Sequence, residues 1–265
     1  FSTQPALAVW RALYFRPGTW RDEPAQAVEW NRGAYLVRGL GHCSACHNTR
    51  NALGASSDVF DLSGGLIPMQ NWYAPSLTSP REAGVAHWSA DDVARLLRVG
   101  VAGDATVLGP MAEVVQGSTQ YLTDGDAKAM AAYLRSLPQS AAEAVPPAPK
   151  ADARVAALGA KLYGEHCAQC HGEQGEGRAG AYPRLAGNRA VTLPVTANLV
   201  QVVLGGGFPP ATEGNPRPYG MPPYVTVLSD ADVAAVLTHI RGSWGNQAAP
   251  VSELDVARQR AGSFR

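Results

Sequence analysis

Six stretches of the chain carry apolar residues at the three- and four-residue spacing of an amphipathic helix, and they fall into two series of three. The first series predicts helices over Glu29–Val37, Ser89–Val99 and Asp126–Arg135. The second predicts them over Arg154–Tyr163, Ala197–Leu204 and Asp232–Arg241. Cap residues precede several of these runs: Ser89, Thr123/Asp124 and Ser229/Asp230. Asp126-Ala-Lys-Ala-Met-Ala-Ala-Tyr-Leu-Arg135 aligns with Asp232-Val-Ala-Ala-Val-Leu-Thr-His-Ile-Arg241, so the unit reads as an internal repeat. Between the copies, Pro138–Lys150 is rich in Pro and Ala without apolar periodicity, which marks a semi-extended linker. The expected organisation is an N-terminal segment over 1–24, one domain over 25–147 and a second over 148–265 that includes a C-terminal tail. Head and tail lie outside the repeat and are expected to pack over it. Gly33 on the first helix and Ala132 near Tyr133 on the last are small enough to let those helices cross closely.

Composition narrows the class. Of 265 residues, 46% are hydrophobic and 17% charged, which suits a folded chain. Lys+Arg and Asp+Glu stand at 22 each, so no basic excess points to nucleic acid. No apolar run approaches a membrane span; the longest, Val191–Leu204, is interrupted by Pro194, Asn198 and Gln201. The chain opens Phe1-Ser2-Thr3-Gln4-Pro5 without a Met or a basic leader, which reads as a mature or trimmed chain.

Chemistry concentrates in the cysteines. All four fall in two Cys-x-x-Cys-His motifs, Cys43-Ser-Ala-Cys46-His47 and Cys167-Ala-Gln-Cys170-His171. That pattern attaches c-type haem: two thiols add to the two porphyrin vinyls, and the adjacent imidazole faces the iron. Cys43, Cys46, Cys167 and Cys170 are then the covalent anchors of two haem c groups, with His47 and His171 as proximal ligands. A thioredoxin-like dithiol or a zinc ribbon is the rival reading of a Cys-x-x-Cys pair. Neither calls for a His after the second Cys in both copies, and the two pairs lie in separate repeat units. Covalent haem also implies an extracytoplasmic, periplasm-like compartment. His42 and His166 sit on the attachment turns, and His87 and His239 lack ligand spacing; His239 reads as a helix-packing residue.

These motifs resemble class I cytochromes c, which implies an all-α fold of two tandem class I domains joined by the Pro/Ala-rich linker. In that class a loop methionine before the last helix closes the distal side. Met111, in Leu108-Gly-Pro-Met111, and Met221, in Tyr219-Gly-Met-Pro-Pro223, hold that place, and their Gly and Pro neighbours suggest rigid, non-helical loops. The competing role for either is core filling, which is the reading for Met130. Met69 is the alternative for the first haem. Trp72 and Tyr73, with Tyr182–Asn188 as the counterpart segment, suit a haem wall. Arg50 and Arg184 are candidates for pairing with propionates, against the reading of solvated surface arginines.

A narrower likeness runs along almost the whole chain. Trp30–Gly54, Trp72-Tyr-Ala-Pro-Ser-Leu-Thr78, Gly109-Pro-Met-Ala-Glu-Val-Val115 and Arg241-Gly-Ser-Trp-Gly-Asn246 resemble the cytochrome c subunits of bacterial membrane-associated dehydrogenases. That resemblance implies a non-catalytic subunit that relays electrons from a quinoprotein, flavoprotein or molybdenum dehydrogenase toward quinone or a terminal oxidase. It implies a periplasmic site with peripheral association at the outer face of the inner membrane. Those subunits usually hold three haems and Thr-Pro after the motif's His. Here Asn48-Thr49 follows His47, and Ala8–Gly18 resembles the connector after their first haem domain. The expectation is therefore their second and third haem domains, in a trimmed chain or a two-haem relative. The alternatives are a stand-alone dihaem enzyme of peroxidase or thiosulfate dehydrogenase type and a free soluble carrier.

Overall fold

A computed structural model describes residues 3–56, 60–141 and 148–263. It is helical, with two pairs of two-residue antiparallel strands: β1 (Gly65–Leu66) with β2 (Tyr73–Ala74), and β3 (Val101–Ala102) with β4 (Ala105–Thr106). The chain forms two helical halves, each around its own apolar core.

In the first half, α1 (Gln4–Tyr14) is followed by α2 (Val28–Tyr35), α3 (Ala90–Val99), α4 (Pro110–Gly117) and α5 (Asp124–Ser136). The second holds α6 (Ala153–His166), α7 (Ala168–His171), α8 (Arg189–Thr192), α9 (Ala197–Gly205), α10 (Asp230–Gly242) and α11 (Glu253–Ser263). The predicted caps act as such. The Ser89 hydroxyl accepts the Asp92 N–H, Thr123 accepts that of Asp126, and Ser229 with Asp232 makes a reciprocal capping box. Asp91 and Asp92, then Asp124 and Asp126, add negative charge to first turns, where the helix dipole favours it.

The same crossing organises both cores. A β-carbon at Gly33 of α2 would collide with the Ala129 carbonyl oxygen on α5, with the Tyr133 side chain alongside. A β-carbon at Gly159 of α6 would collide with the Ala235 carbonyl oxygen on α10, beside His239. Only glycine permits this approach. The residue facing Gly33 is thus Ala129, through its carbonyl one helical turn before Tyr133, and not the expected Ala132. Around the crossings pack Leu36, Val93, Leu97, Met130 and Leu134 in one half, and Leu162, Val200, Leu204, Val233 and Leu237 in the other.

The halves touch through polar contacts. The Asn198 carboxamide both accepts the Tyr73 N–H at 2.8 Å and donates to the Tyr73 carbonyl at 2.7 Å, as a neighbouring strand would. Arg189 donates to the carbonyls of Pro80 and Gly84, and its guanidinium lies over the Trp88 ring. The C-terminal α11 packs on α9 and α10 as expected, burying Val256 and tying Arg260 to Asp230 and to the Val225 and Leu228 carbonyls. The head departs from expectation. Helix α1 buries no residue and leaves Leu7, Val9 and Leu13 exposed, although the Trp10 indole N–H donates to the Leu53 carbonyl. Within the predicted linker, residues 142–147, and with them the boundary at 147/148, lie outside the described residues. Among those described, no helix is long and apolar enough to cross a membrane.

Candidate haem-attachment sites

Each motif begins where a helix of the crossing pair ends. In the second half α6 runs unbroken to His166 and delivers Cys167 directly. The first half has two more residues between its crossing glycine and its first cysteine (Gly33 to Cys43 against Gly159 to Cys167). They are absorbed by a π-helical turn, Leu36–Leu40, whose wider loop closes with the Gly41 N–H on the Leu36 carbonyl at 2.7 Å. His42 then adopts a left-handed conformation, φ 36°, before the short 3₁₀ turn Cys43–Ala45. In both halves the motif forms one helical turn, with the histidine N–H on the carbonyl of the first cysteine, reached by different backbones.

The histidines are held alike. Nδ1 of His47 lies 2.7 Å from the Pro75 carbonyl oxygen, and Nδ1 of His171 lies 2.9 Å from that of Pro183. A carbonyl only accepts, so Nδ1 carries the proton and Nε2 keeps a lone pair for a metal. Burial lowers the pKa of both histidines, and the proline carbonyls only partly oppose this. The neutral, ligating form is thereby favoured. Pro75 and Pro183 were not singled out from the sequence. Their signal was present in the parallel strings Tyr73-Ala-Pro-Ser-Leu77 and Ala181-Tyr-Pro-Arg-Leu185.

The methionines divide. Met111 and Cys43 both pack against the first core, and Met221 and Cys167 against the second, so each half brings one predicted anchor and one predicted distal ligand to the same cluster. Met221 is in a loop, bridged to Gly207 by paired backbone hydrogen bonds of 2.8 and 3.0 Å. Met111 is not: it lies in the first turn of α4, because Pro110 suits a helix start and Gly109, at φ +56°, makes the turn before it. The expectation of a non-helical loop is corrected there. Above Gly109 lies the Trp72 ring, which a β-carbon would meet at 2.8 Å, and the Phe208 ring occupies the same relation to Gly220 beside Met221. Phe208 is a second residue that the sequence reading missed. Met69 is fully exposed on a left-handed turn, and Met130 is buried in the core.

The remaining candidates are engaged within the protein. Tyr73 donates its hydroxyl to Glu82 at 2.9 Å, and burial, with Glu82 second, raises its pKa. Arg50 donates to the carbonyls of Ala45 and Gly54, bracing the first motif from behind. Arg184 forms an ion pair of 3.2 Å with Asp104 of the other half. His166 meets the Tyr224 ring edge-on, and the Tyr224 hydroxyl donates to the His166 carbonyl. His239 packs between Tyr163 and Trp244, as a helix-packing residue should.

The donor set fits thioether-linked haem better than the rival chemistries. Burial raises the thiols of Cys43 and Cys167 to about 11, whereas a thioredoxin-type nucleophile needs a depressed value. Among the described residues, no three His, Cys, Asp or Glu side chains come together as a metal cluster. Each half offers a half-buried cysteine pair and an imidazole whose Nδ1 is bonded to a carbonyl, with the first cysteine of the pair and a thioether on the same core.

Comparison with known proteins agrees. The family model described as Cytochrome c matches residues 156–244. The cytochrome c subunit of the quinone-type alcohol dehydrogenase of Gluconacetobacter polyoxogenes is 38% identical over 275 residues, covering 96% of this chain and 58% of that protein. The gluconate 2-dehydrogenase cytochrome c subunit of Pantoea cypripedii is 36% identical over 277 residues, covering 96% and 61%. Cytochrome c-552 of Thermus thermophilus is 36% identical over 91 residues, covering 33% of this chain and 69% of that protein. The chain spans less than two thirds of the length of the two dehydrogenase subunits it matches. Its cofactor is accordingly haem c, and the chain belongs to the cytochrome c family, with a sequence similar over most of its length to the cytochrome c subunits of bacterial dehydrogenases.

Proposed function

We propose that this chain is a dihaem electron relay built from two tandem class I cytochrome c domains, serving a dehydrogenase. Cys43 and Cys46 would anchor one haem c, with His47 and Met111 as the residues that hold its iron. Cys167 and Cys170 would anchor the other, with His171 and Met221. The observation that carries this reading is the repeated contact set: in both halves the motif histidine gives its Nδ1 proton to a proline carbonyl, and a cysteine and a methionine share one core.

When bound, haem supplies a one-electron couple. The protein fixes ring orientation through Pro75 and Pro183, which also make the imidazole a stronger donor. Trp72 and Phe208 hold the glycine turns beside the methionines, and apolar walls keep water from the metal side of each site. With Met111 and Met221 as further iron ligands, the potential would be raised relative to two histidines and no position would be left for substrate. Relay therefore fits the residues better than turnover, and the motifs use all four cysteines, so none remains to act as an axial ligand.

The partner is a dehydrogenase catalytic subunit of quinoprotein, flavoprotein or molybdenum type, and the acceptor is quinone or a terminal oxidase. The site of action is the periplasm, at the outer face of the inner membrane. The test has two parts. The chain made with c-type haem maturation should show low-spin spectra with a near-infrared methionine–iron band, diminished by Met111→Ala and by Met221→Ala alike. The native protein should co-purify with a large catalytic subunit whose substrate reduces its haems. High-spin iron, or peroxide turnover by the isolated chain, would overturn the relay.

A further inference from the structure

One carboxylate holds a residue on either side of the proline whose carbonyl takes the His47 proton. Oε2 of Glu82 accepts the Tyr73 hydroxyl at 2.9 Å and the Ser76 backbone N–H at 2.7 Å. Pro75 lies between these residues, and its carbonyl takes the His47 Nδ1 proton at 2.7 Å. Glu82 is half-buried, and both of its partners are neutral donors. Among the described residues no Lys, Arg or His makes an ion pair with it. Arg189, the cation of the facing half, spends its guanidinium on the Pro80 and Gly84 carbonyls and the Trp88 ring, and Arg81 is exposed.

The second half has no such arrangement. The residue after Pro183 is Arg184, a cation paired with Asp104, and Tyr182 directs its hydroxyl at Cys170. The acids of that segment, Glu173 and Glu176, are exposed, where solvent screens them. A carboxylate on the N–H of the peptide whose carbonyl holds the histidine polarises that carbonyl, and a partly buried charge does so at much lower effective dielectric.

We propose that Glu82 is a tuning residue for the first haem site: its negative charge, on the N–H of the peptide whose carbonyl holds His47, favours ferric over ferrous iron and makes this the lower-potential site of the two. The inference rests on the dihaem reading above and adds an order to it. Electron flow runs downhill from the His47 site to the His171 site, one electron at a time, with no bond made or broken and no proton moved.

Redox titration of the holoprotein, followed by haem absorbance, tests this. Two couples are expected in the parent chain. Glu82→Gln, nearly isosteric and still an acceptor for Tyr73 and Ser76, should raise the lower couple and leave the higher one unmoved. The expected change is up to about tenfold in the ferrous-to-ferric ratio at fixed poise, or about 59 mV for one electron. Glu82→Asp keeps the charge and should stay close to the parent. Two attached haems with both couples unmoved in Glu82→Gln would overturn the proposal, as would movement of the higher couple or equal shifts in the Gln and Asp variants. A parent chain with fewer than two haems would instead overturn the dihaem reading, and the inference with it.

Discussion

Around the first motif, 28 residues separate the histidine from its proline carbonyl; around the second, 12 do. The first half enters its cysteines through a π-turn and a left-handed histidine, the second straight off a helix. Met111 opens a helix, whereas Met221 rests in a loop. Yet both halves keep a glycine against a facing carbonyl, an imidazole on a proline oxygen, and an aromatic ring over a glycine beside the methionine. The contacts that fix a planar, ligated group are what the halves share. Backbone length between those contacts is free to differ, because loop closure costs grow only slowly with length.

The largest test of that equivalence is at the crossings. Gly33→Ala and Gly159→Ala each force a methyl group into a backbone carbonyl and should cost about 3 kcal/mol or more, read by urea unfolding of the holoprotein. Gly117→Ala, with open space around its β-carbon, should cost nothing comparable. If either crossing variant were as stable as the parent, the shared packing would not be what organises both halves.

The next tests exploit what the halves do not share. Arg241 is 2% exposed and donates to the carbonyls of Ala249, Val191 and Leu193, while its counterpart Arg135 is exposed. Arg241→Met strands three acceptors and should cost about 2–3 kcal/mol; Arg135→Met should stay within about 0.5 kcal/mol. Asn246 bonds Gly187, Leu185 and Ile240, tying the loop that carries Pro183 to the end of α10. Asn246→Ala should cost about 2 kcal/mol by thermal unfolding. The smallest effect belongs to the pair linking the halves: Arg184 and Asp104 are 48% and 66% exposed, so Asp104→Asn should cost about 0–1 kcal/mol and less at high salt.

Much of this was legible in the chain. Local signals such as the caps at Ser89, Thr123 and Ser229, and the three-residue cysteine step, act through neighbours in sequence and survive folding unchanged. The proline carbonyls and Phe208 were harder to see, since a backbone oxygen has no residue signature and Phe208 meets Gly220 only after a loop folds back. Met111 was misplaced because Gly-Pro describes a loop and a helix start equally well; the φ at Gly109 decides between them. Arg50 and Arg184 read equally well as propionate partners or as solvated surface arginines, and only the folded chain supplies the carbonyls and the carboxylate that hold them.

The central claim is that both motifs carry haem. Haem counting per chain, by absorbance of the pyridine complex and intact mass after denaturation, tests it most directly when combined with removal of one cysteine pair at a time. The account predicts two covalent haems in the parent chain, one in the Cys43→Ala/Cys46→Ala variant and one in the Cys167→Ala/Cys170→Ala variant. A parent chain with a single haem, or a variant whose count does not fall, would contradict it.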